Sequence, residues 1–314
     1  MEYLTIKNSD LTVSRICMGG CPMGGYGWGS NVDENEIIEA VHMALDEGVN
    51  FFDTADTYGL GQSEITLGKA LSGQRDKAII ASKFGVRVVP GKPTFYDNSP
   101  EWIMESIKNT LKRLNTDYLD LYQIHYRDGR TPLYQVVETL EKLKEKGYIR
   151  YYGLSNVYEK DIAELKEFKD KFVSFQNEYS LVCRKNENDI LKLSKELSIT
   201  PLTWGSLGQG ILSGKYNLNN VNFSPDDRRS RETYVNFHGE KVKKNLKIVE
   251  VTKKIASEKN VSIPAVAIRF ILDNIENSVV LVGIKRKSQL LSNVEACNWK
   301  LDEGQMESLI KISS

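Results

Sequence analysis

Tyr118-Leu119-Asp120-Leu121-Tyr122-Gln123-Ile124-His125 reads as a buried strand that ends on a polar side chain. Two runs upstream have the same form. They are Val49-Asn50-Phe51-Phe52-Asp53 and Ala78-Ile79-Ile80-Ala81-Ser82-Lys83. Each passes into a polar or glycine-containing loop, and Tyr58 follows Asp53 by five residues. Polar groups at the C-terminal ends of parallel strands are where an α/β barrel carries its chemistry. An acid, a phenol, a cation and an imidazole converging there would transfer a proton.

Five further runs, at residues 15–18, 149–156, 172–178, 200–204 and 278–283, bring the number to eight. Helical segments separate them, which predicts a parallel sheet buried on both faces. Asp33 caps a helix over 34–47 that Gly48 ends. Ser99-Pro100-Glu101 opens one to about Leu114, and Thr131-Pro132 opens another that Gly147 closes. Residues 187–197, 264–273 and 287–296 give three more, with extra helix expected toward the C-terminus. The first thirteen residues read as a hairpin. Residues 214–260 read as a long loop with an amphipathic helix over about 242–258, and loops of that length are usually functional or mobile. The expected fold is an α/β, (β/α)8 TIM barrel in one domain spanning 1–314.

A doubly wound nucleotide-binding sheet would carry GxGxxG after its first strand. The stretch from Gly19 to Gly29 is glycine-rich, but no frame in it has that spacing. A phosphate-binding P-loop is also missing, because Gly214-Lys215 is followed by Tyr216 and lacks the upstream glycine. The 314 residues carry zero formal net charge and 40% hydrophobic residues, which gives no electrostatic case for nucleic acid or an anionic membrane. No apolar stretch approaches the roughly 20 residues of a membrane span. The N-terminus lacks an apolar signal core, so the cytoplasm is the expected compartment. Four cysteines and three histidines show no metal-ligand spacing, and no metal is expected.

The residue types suggest one chemistry. A phenol is a reluctant acid at neutral pH, and a neighbouring ammonium favours the phenolate and lowers its pKa. Lys83 is the candidate cation and Asp53 its counter-ion. His125 would meet a substrate oxygen or pass the proton. The set holds no source of electrons, so a reduction requires a bound hydride donor.

The blocks Asn50 through Asp53-Thr54-Ala55-Asp56-Thr57-Tyr58-Gly59, Ser63-Glu64 with Leu67-Gly68, and Ser82-Lys83 continue in order to Asp117-Tyr118-Leu119-Asp120-Leu121 and His125. They are followed by Lys146-Gly147-Tyr148-Ile149-Arg150, Gly153-Leu154-Ser155-Asn156 and Phe175-Gln176-Asn177-Glu178-Tyr179-Ser180. Over nearly its whole length the chain resembles the aldo-keto reductase superfamily. The resemblance implies a catalytic tetrad of Asp53, Tyr58, Lys83 and His125, with Tyr58 as general acid. It implies that Ser155, Asn156 and Gln176 hold a nicotinamide carboxamide. It places Trp204, Gly205, Ser206, Leu207, Gly208, Gln209 and Gly210 in the cofactor block after the seventh barrel strand. Trp204 there replaces the family's usual tyrosine, and Ser206 its usual proline. Gly20, Met23 and Asp53 join the cofactor side. Gly283, Lys285, Gln289 and Asn293 resemble the adenosine-phosphate site, where a helix N-terminus and cations favour phosphate. Lys285, Arg286 and Lys287 in a row favour NADPH (NADP+), with NADH as the other option.

Tyr26, Trp28, Tyr58, His125, Tyr126 and Arg127 are the expected substrate-binding residues, and Arg127 suggests an anionic or polyhydroxylated substrate. Arg228, Arg229 and Arg231 in the long loop are candidates to close over cofactor phosphates. The leading expectation is an NADPH-dependent oxidoreductase that reduces an aldehyde or ketone, as monomer or homo-oligomer. A sugar or polyol dehydrogenase using NAD(P), or a regulatory cofactor-binding protein like the channel β subunits, are the alternatives.

Overall fold

The eight apolar runs all form strands in the computed structural model, which describes residues 1–25, 27–29, 33–89 and 91–314. An N-terminal hairpin pairs β1 (Tyr3–Thr5) with β2 (Thr12–Ser14). Next come β3 (Ile16–Gly19), β4 (Phe51–Asp53) and β5 (Ile79–Phe84). A side hairpin of β6 (Val86–Arg87) and β7 (Phe95–Tyr96) precedes β8 (Leu119–Ile124) and β9 (Ile149–Ser155). The last strands are β10 (Ser174–Glu178), β11 (Thr200–Trp204) and β12 (Val279–Gly283). Among the described residues, β3, β4, β5 and β8 to β12 close a barrel of parallel neighbours, with β12 returning to β3. This is the expected (β/α)8 barrel.

Alternation along these strands sorts side chains to two sides. Cys17, Phe51, Ala81, Leu121 and Leu202 pack inside the barrel, and Ile6, Leu11 and Val13 of the hairpin join them from below. Residues between them, such as Phe52, Ile80 and Tyr122, face the surrounding helices. Two residues beyond the inner apolar layer, the same face presents Asp53 after Phe51, Lys83 after Ala81, and Gln123 then His125 after Leu121. Period two therefore stacks a polar layer directly on an apolar one.

The helical layer begins with α1 (Glu34–Asp46), whose N-cap Asp33 accepts from the Asn35 N–H. It continues with α2 (Gln62–Ala70), α3 (Pro100–Leu114), α4 (Leu133–Glu145), α5 (Ile162–Lys166) and α6 (Glu187–Leu197). The chain ends with α7 (Gly239–Lys259), α8 (Ile263–Asn274), α9 (Lys287–Val294) and α10 (Glu303–Ile312). Helix α2 lacks a sequence signature because its N-cap is Gly61, at φ +95°, and because it packs through small residues. A Cβ at Gly68 would fall 2.5 Å from the Leu114 carbonyl oxygen. The start of α4 also differs from expectation. Pro132 is its N-cap, while the Thr131 hydroxyl donates to Asp128 at 2.7 Å. Among the described residues no helix is long and apolar enough to cross a membrane.

Candidate active site

Strands β4, β5 and β8 deliver Asp53, Lys83 and His125 to the same mouth of the barrel, and the turn after β4 folds Tyr58 back over them. Lys83 and Asp53 are almost fully buried, with Nζ 2.5 Å from Oδ1. Lys83 Nζ also donates to the Thr54 carbonyl at 2.8 Å and to the Tyr58 hydroxyl oxygen at 3.3 Å. An ammonium has three protons, so all three are engaged. Because the phenol oxygen accepts from Lys83, its own proton is free to point into the cavity. The other Asp53 oxygen, Oδ2, accepts from Gln176 Nε2 at 2.6 Å and Gln123 Nε2 at 3.2 Å.

His125 stands edge-on to Tyr58, with ring centroids 6.0 Å apart. It stacks on Tyr126, which stacks in turn on Tyr96. Burial, then the Lys83 charge, pulls the His125 imidazole well below its usual pKa, so it is neutral near pH 7. Tyr58 contradicts the expectation of a lowered pKa. Burial pushes its phenol well above the ordinary value, and Cys21 and Asp53 add to that. Lys83 does not reverse the direction, because Asp53 at 2.5 Å largely neutralises it.

A cavity of about 850 Å³ runs from these four residues across the barrel mouth to α9. That is within the roughly 300–1,000 Å³ of cofactor and small-molecule sites. Ser155, Asn156 and Gln176 line it beside the tetrad, and Trp204 and Gly205 line it from the end of the next strand, β11. Asn156 sits at φ +56° and donates to the His125 carbonyl at 3.1 Å. Ser206 lies in the loop after β11 and lines the cavity. Its buried hydroxyl bonds the carbonyls of Leu281 at 3.0 Å and Thr203 at 3.2 Å, which ties the loop to the ends of β12 and β11. Leu207, Gln209 and Gly210 also line the cavity. Gly20, Met23 and Gly208 do not. Gly20 N–H donates to the Asp53 carbonyl at 2.6 Å, Met23 is buried in the core, and a Cβ at Gly208 would meet Val182.

The far end of the cavity is cationic. Gly283, Lys285, Gln289 and Asn293 line it together with Lys215, Arg229 and Arg286. Lys285 Nζ donates to the Trp28 carbonyl, and its backbone N–H donates to Gln289 Oε1 at 2.9 Å. Burial lowers the Lys285 pKa, and the charges of Arg229, Arg286 and Lys215 lower it further. Lys215 is lowered by burial, Arg229 and Arg286. Two ammonium groups lowered by the same neighbouring arginines mark a local surplus of positive charge. Asn293 Nδ2 is buried without a partner. These groups fit a phosphate-bearing nucleotide. Arg286 and Lys287 also pair with Glu36 and Glu39 of α1, at 2.9 and 2.7 Å, and Lys287 lies outside the lining. The row of three cations therefore reduces to Lys285 with a shared Arg286.

On the substrate side, Trp28 lines the cavity with Tyr234 edge-on to it at 5.7 Å, and Tyr126 lines it near His125. Tyr26 lies outside the described residues. Arg127 corrects the expectation of an anion-binding arginine: both of its Nη atoms bond Glu164, at 3.0 and 3.1 Å, away from the cavity. Of the loop arginines, Arg228 and Arg229 line the cavity and Arg231 is exposed outside it. Sequence reasoning assigned no role to Gln123, Cys21 or Lys215. Gln123 had a visible signal, a polar residue in register with Leu121 and His125 on an inward face. Among the described residues no cluster of His, Cys, Asp and Glu suits a metal ion, and the four cysteines are free.

Known proteins share this arrangement of chain. An aldo-keto reductase of Bacillus subtilis, YhdN, is 34% identical over 98% of this chain and 92% of its own. An NADH-specific methylglyoxal reductase of Escherichia coli is 28% identical over 96% and 95%. The solved structure of a glycerol dehydrogenase from Gluconobacter oxydans superposes with a TM-score of 0.88 at 30% identity, covering 99% of this chain and 94% of that one. Residues 15–314 match the model of the Aldo/keto reductase family. A parallel eight-stranded barrel, the strand-end charge pair and the continuous match agree, and the chain belongs to the aldo/keto reductase family.

Proposed function

We propose that the protein is an NADPH-dependent oxidoreductase that reduces an aldehyde or ketone to an alcohol, with Tyr58 as general acid. The observation that carries the reading is the saturated Lys83, whose third proton is spent on the Tyr58 oxygen at 3.3 Å. That contact leaves the phenol proton for a cavity-side acceptor. A bound nicotinamide cofactor supplies the hydride. Tyr58 gives its proton to the carbonyl oxygen as negative charge builds there, and Lys83 stabilises the phenolate left behind. Asp53 pairs with Lys83 and holds it in place. Neutral His125 presents a ring N–H to the same oxygen without adding charge.

Ser155, Asn156 and Gln176 hold the carboxamide in this reading, since amide side chains offer both donor and acceptor. Trp204 gives the nicotinamide a flat π-face. Lys285, with Arg286 and Arg229 near it, meets the 2′-phosphate, which supports NADPH over NADH. The NADH-specific relative keeps NADH as the competing cofactor. We read the protein as a cytoplasmic enzyme acting on a small carbonyl compound, without a nucleic-acid or membrane partner.

The test is loss of nicotinamide absorbance with a panel of aldehydes and ketones, for the wild type and Tyr58→Phe. Removing a general acid costs typically about 10²–10⁴-fold. Full activity in Tyr58→Phe overturns the acid role. Polyol oxidation is the second reading, supported by the similarity to a glycerol dehydrogenase. Tyr58 is then the base. The upward push on its phenol makes that direction the slower one near neutral pH.

A further inference from the structure

We infer that Gln123 is a positioning residue: it fixes the orientation of the Gln176 amide and, with it, the outer oxygen of Asp53. The inference rests on the reductase reading and names a residue that reading does not use. Gln123 lies on the inner face of β8 and is completely buried. An amide in that place costs free energy unless its polar atoms are paired.

The pairing is a closed ring of three side chains. Gln176 Nε2 donates to Asp53 Oδ2 at 2.6 Å and to Gln123 Oε1 at 2.9 Å. Gln123 Nε2 donates to the same Asp53 oxygen at 3.2 Å. Both protons of Gln176 are thereby spent, and its Oε1 is the polar atom left for the cavity it lines. Reversing the Gln176 amide would set its oxygen against both the Asp53 carboxylate and Gln123 Oε1, so Gln123, itself oriented by Asp53, holds the Gln176 amide together with the carboxylate. A free acceptor at Gln176 suits the N–H of a carboxamide. The neighbouring strand leaves room for the ring. A Cβ at Gly153 would fall 2.5 Å from Ser174 Oγ and 3.4 Å from Gln123 Cγ.

Two variants test this. Gln123→Met keeps length and volume but removes both hydrogen bonds. Gln123→Glu keeps the shape and adds a charge facing Asp53. NADPH affinity is read by fluorescence titration, independently of turnover. The kcat and KM for a carbonyl are read across about pH 5 to 9, a range that brackets neutral acid–base chemistry. Thermal midpoints monitor the fold. Gln123→Met is expected to weaken NADPH about tenfold and lower kcat to a similar degree, as for one or two lost hydrogen bonds, with the carbonyl KM unchanged. Gln123→Glu should be poor at alkaline pH and recover as pH falls. Its protonated carboxyl then donates to Asp53 and accepts from Gln176, as the amide does. The wild type should lack that limb.

Wild-type NADPH affinity and kcat in Gln123→Met, or a wild-type pH profile in Gln123→Glu, overturns the inference. If Gln123→Met does not fold, the Gln123→Glu profile decides. A wild type that binds NADPH yet reduces no carbonyl overturns the proposed reaction instead, and the NADPH titrations still decide the case of Gln123.

Discussion

The two ends of the cavity are built on opposite principles. At the tetrad end, side chains come mostly from strand termini, and the charged ones pair closely with their neighbours. Lys83 spends three protons within 3.3 Å, and Asp53 accepts from Lys83, Gln123 and Gln176. At the cationic end, side chains come from loops and a helix start, and positive charge is left over. Lys285 and Lys215 are both pulled below their usual pKa by burial and by their cationic neighbours. The first end is preorganised before any ligand arrives. The second is held at an electrostatic cost that an anion would relieve. The proposed function, a proton moved at one end and a phosphate gripped at the other, would use both designs.

Lys83→Met gives the largest test of that contrast. It strips the tetrad end of its cation and leaves the Asp53 carboxylate buried without its counter-ion. Turnover should fall by at least about a hundredfold. The thermal midpoint should fall as well, because breaking a buried ion pair costs about 3–5 kcal/mol. Turnover by the variant near the wild-type rate would show that the saturated network is structural only.

The pH profile comes next. Burial holds the Tyr58 phenol well above its ordinary value, so it stays protonated through neutral pH. His125, lowered by burial and by Lys83, stays neutral over the same range. Reduction should therefore be flat near neutrality. Oxidation of an alcohol needs the phenolate and should rise with pH, by about tenfold per unit while the phenol remains mostly protonated. An oxidation rate that is flat from neutral to alkaline pH would place the titrating group elsewhere.

At the other end, Lys285→Ala should raise the NADPH dissociation constant by about tenfold, the scale of one charge-assisted contact, and move NADH little. Equal losses for both cofactors would mean that Lys285 supports the Trp28 loop rather than reading a phosphate.

The smallest effect concerns the cost of the tetrad's own backing. The Asp56 carboxyl is raised to about 7, by burial first and then by Glu64. A carboxyl raised in the fold is protonated there while still ionised in the unfolded chain. Stability therefore falls as pH rises from the ordinary value of 3.8 toward 7, then levels off. Asp56→Asn should remove that slope and raise the thermal midpoint by about 2–4 °C above pH 7. The gain should vanish below the ordinary carboxyl range. A destabilised Asp56→Asn at every pH would give the Asp56–Ser106 contact, 3.2 Å, the larger weight.

Much of the barrel was legible because its signals are local. Strand β8 shows this: apolar residues on both faces, then His125 at its end, is a pattern eight residues long. The caps at Asp33 and Ser99 were read the same way, and both accept the expected backbone N–H. Helix α2 was missed because a glycine cap and small packing residues leave no apolar stripe. At the site the misses are charges whose partners are distant in sequence. Arg127 is claimed by Glu164, 37 residues away, and Arg286 by Glu36, 250 residues away.

The sequence by itself determined the eight barrel strands and most of the helices between them, the family, and which ionisable side chains end the inward faces of β4, β5 and β8. Those follow from period two, caps and turn residues, which act between near neighbours. Only the tertiary structure decided what those side chains are worth. Barrel closure brings Gln176, on β10, to 2.6 Å from Asp53, 123 residues earlier in the chain. It also desolvates Tyr58 enough to raise its pKa where a neighbouring lysine alone would lower it. Burial and pairing depend on distance in space, and the sequence does not carry that distance.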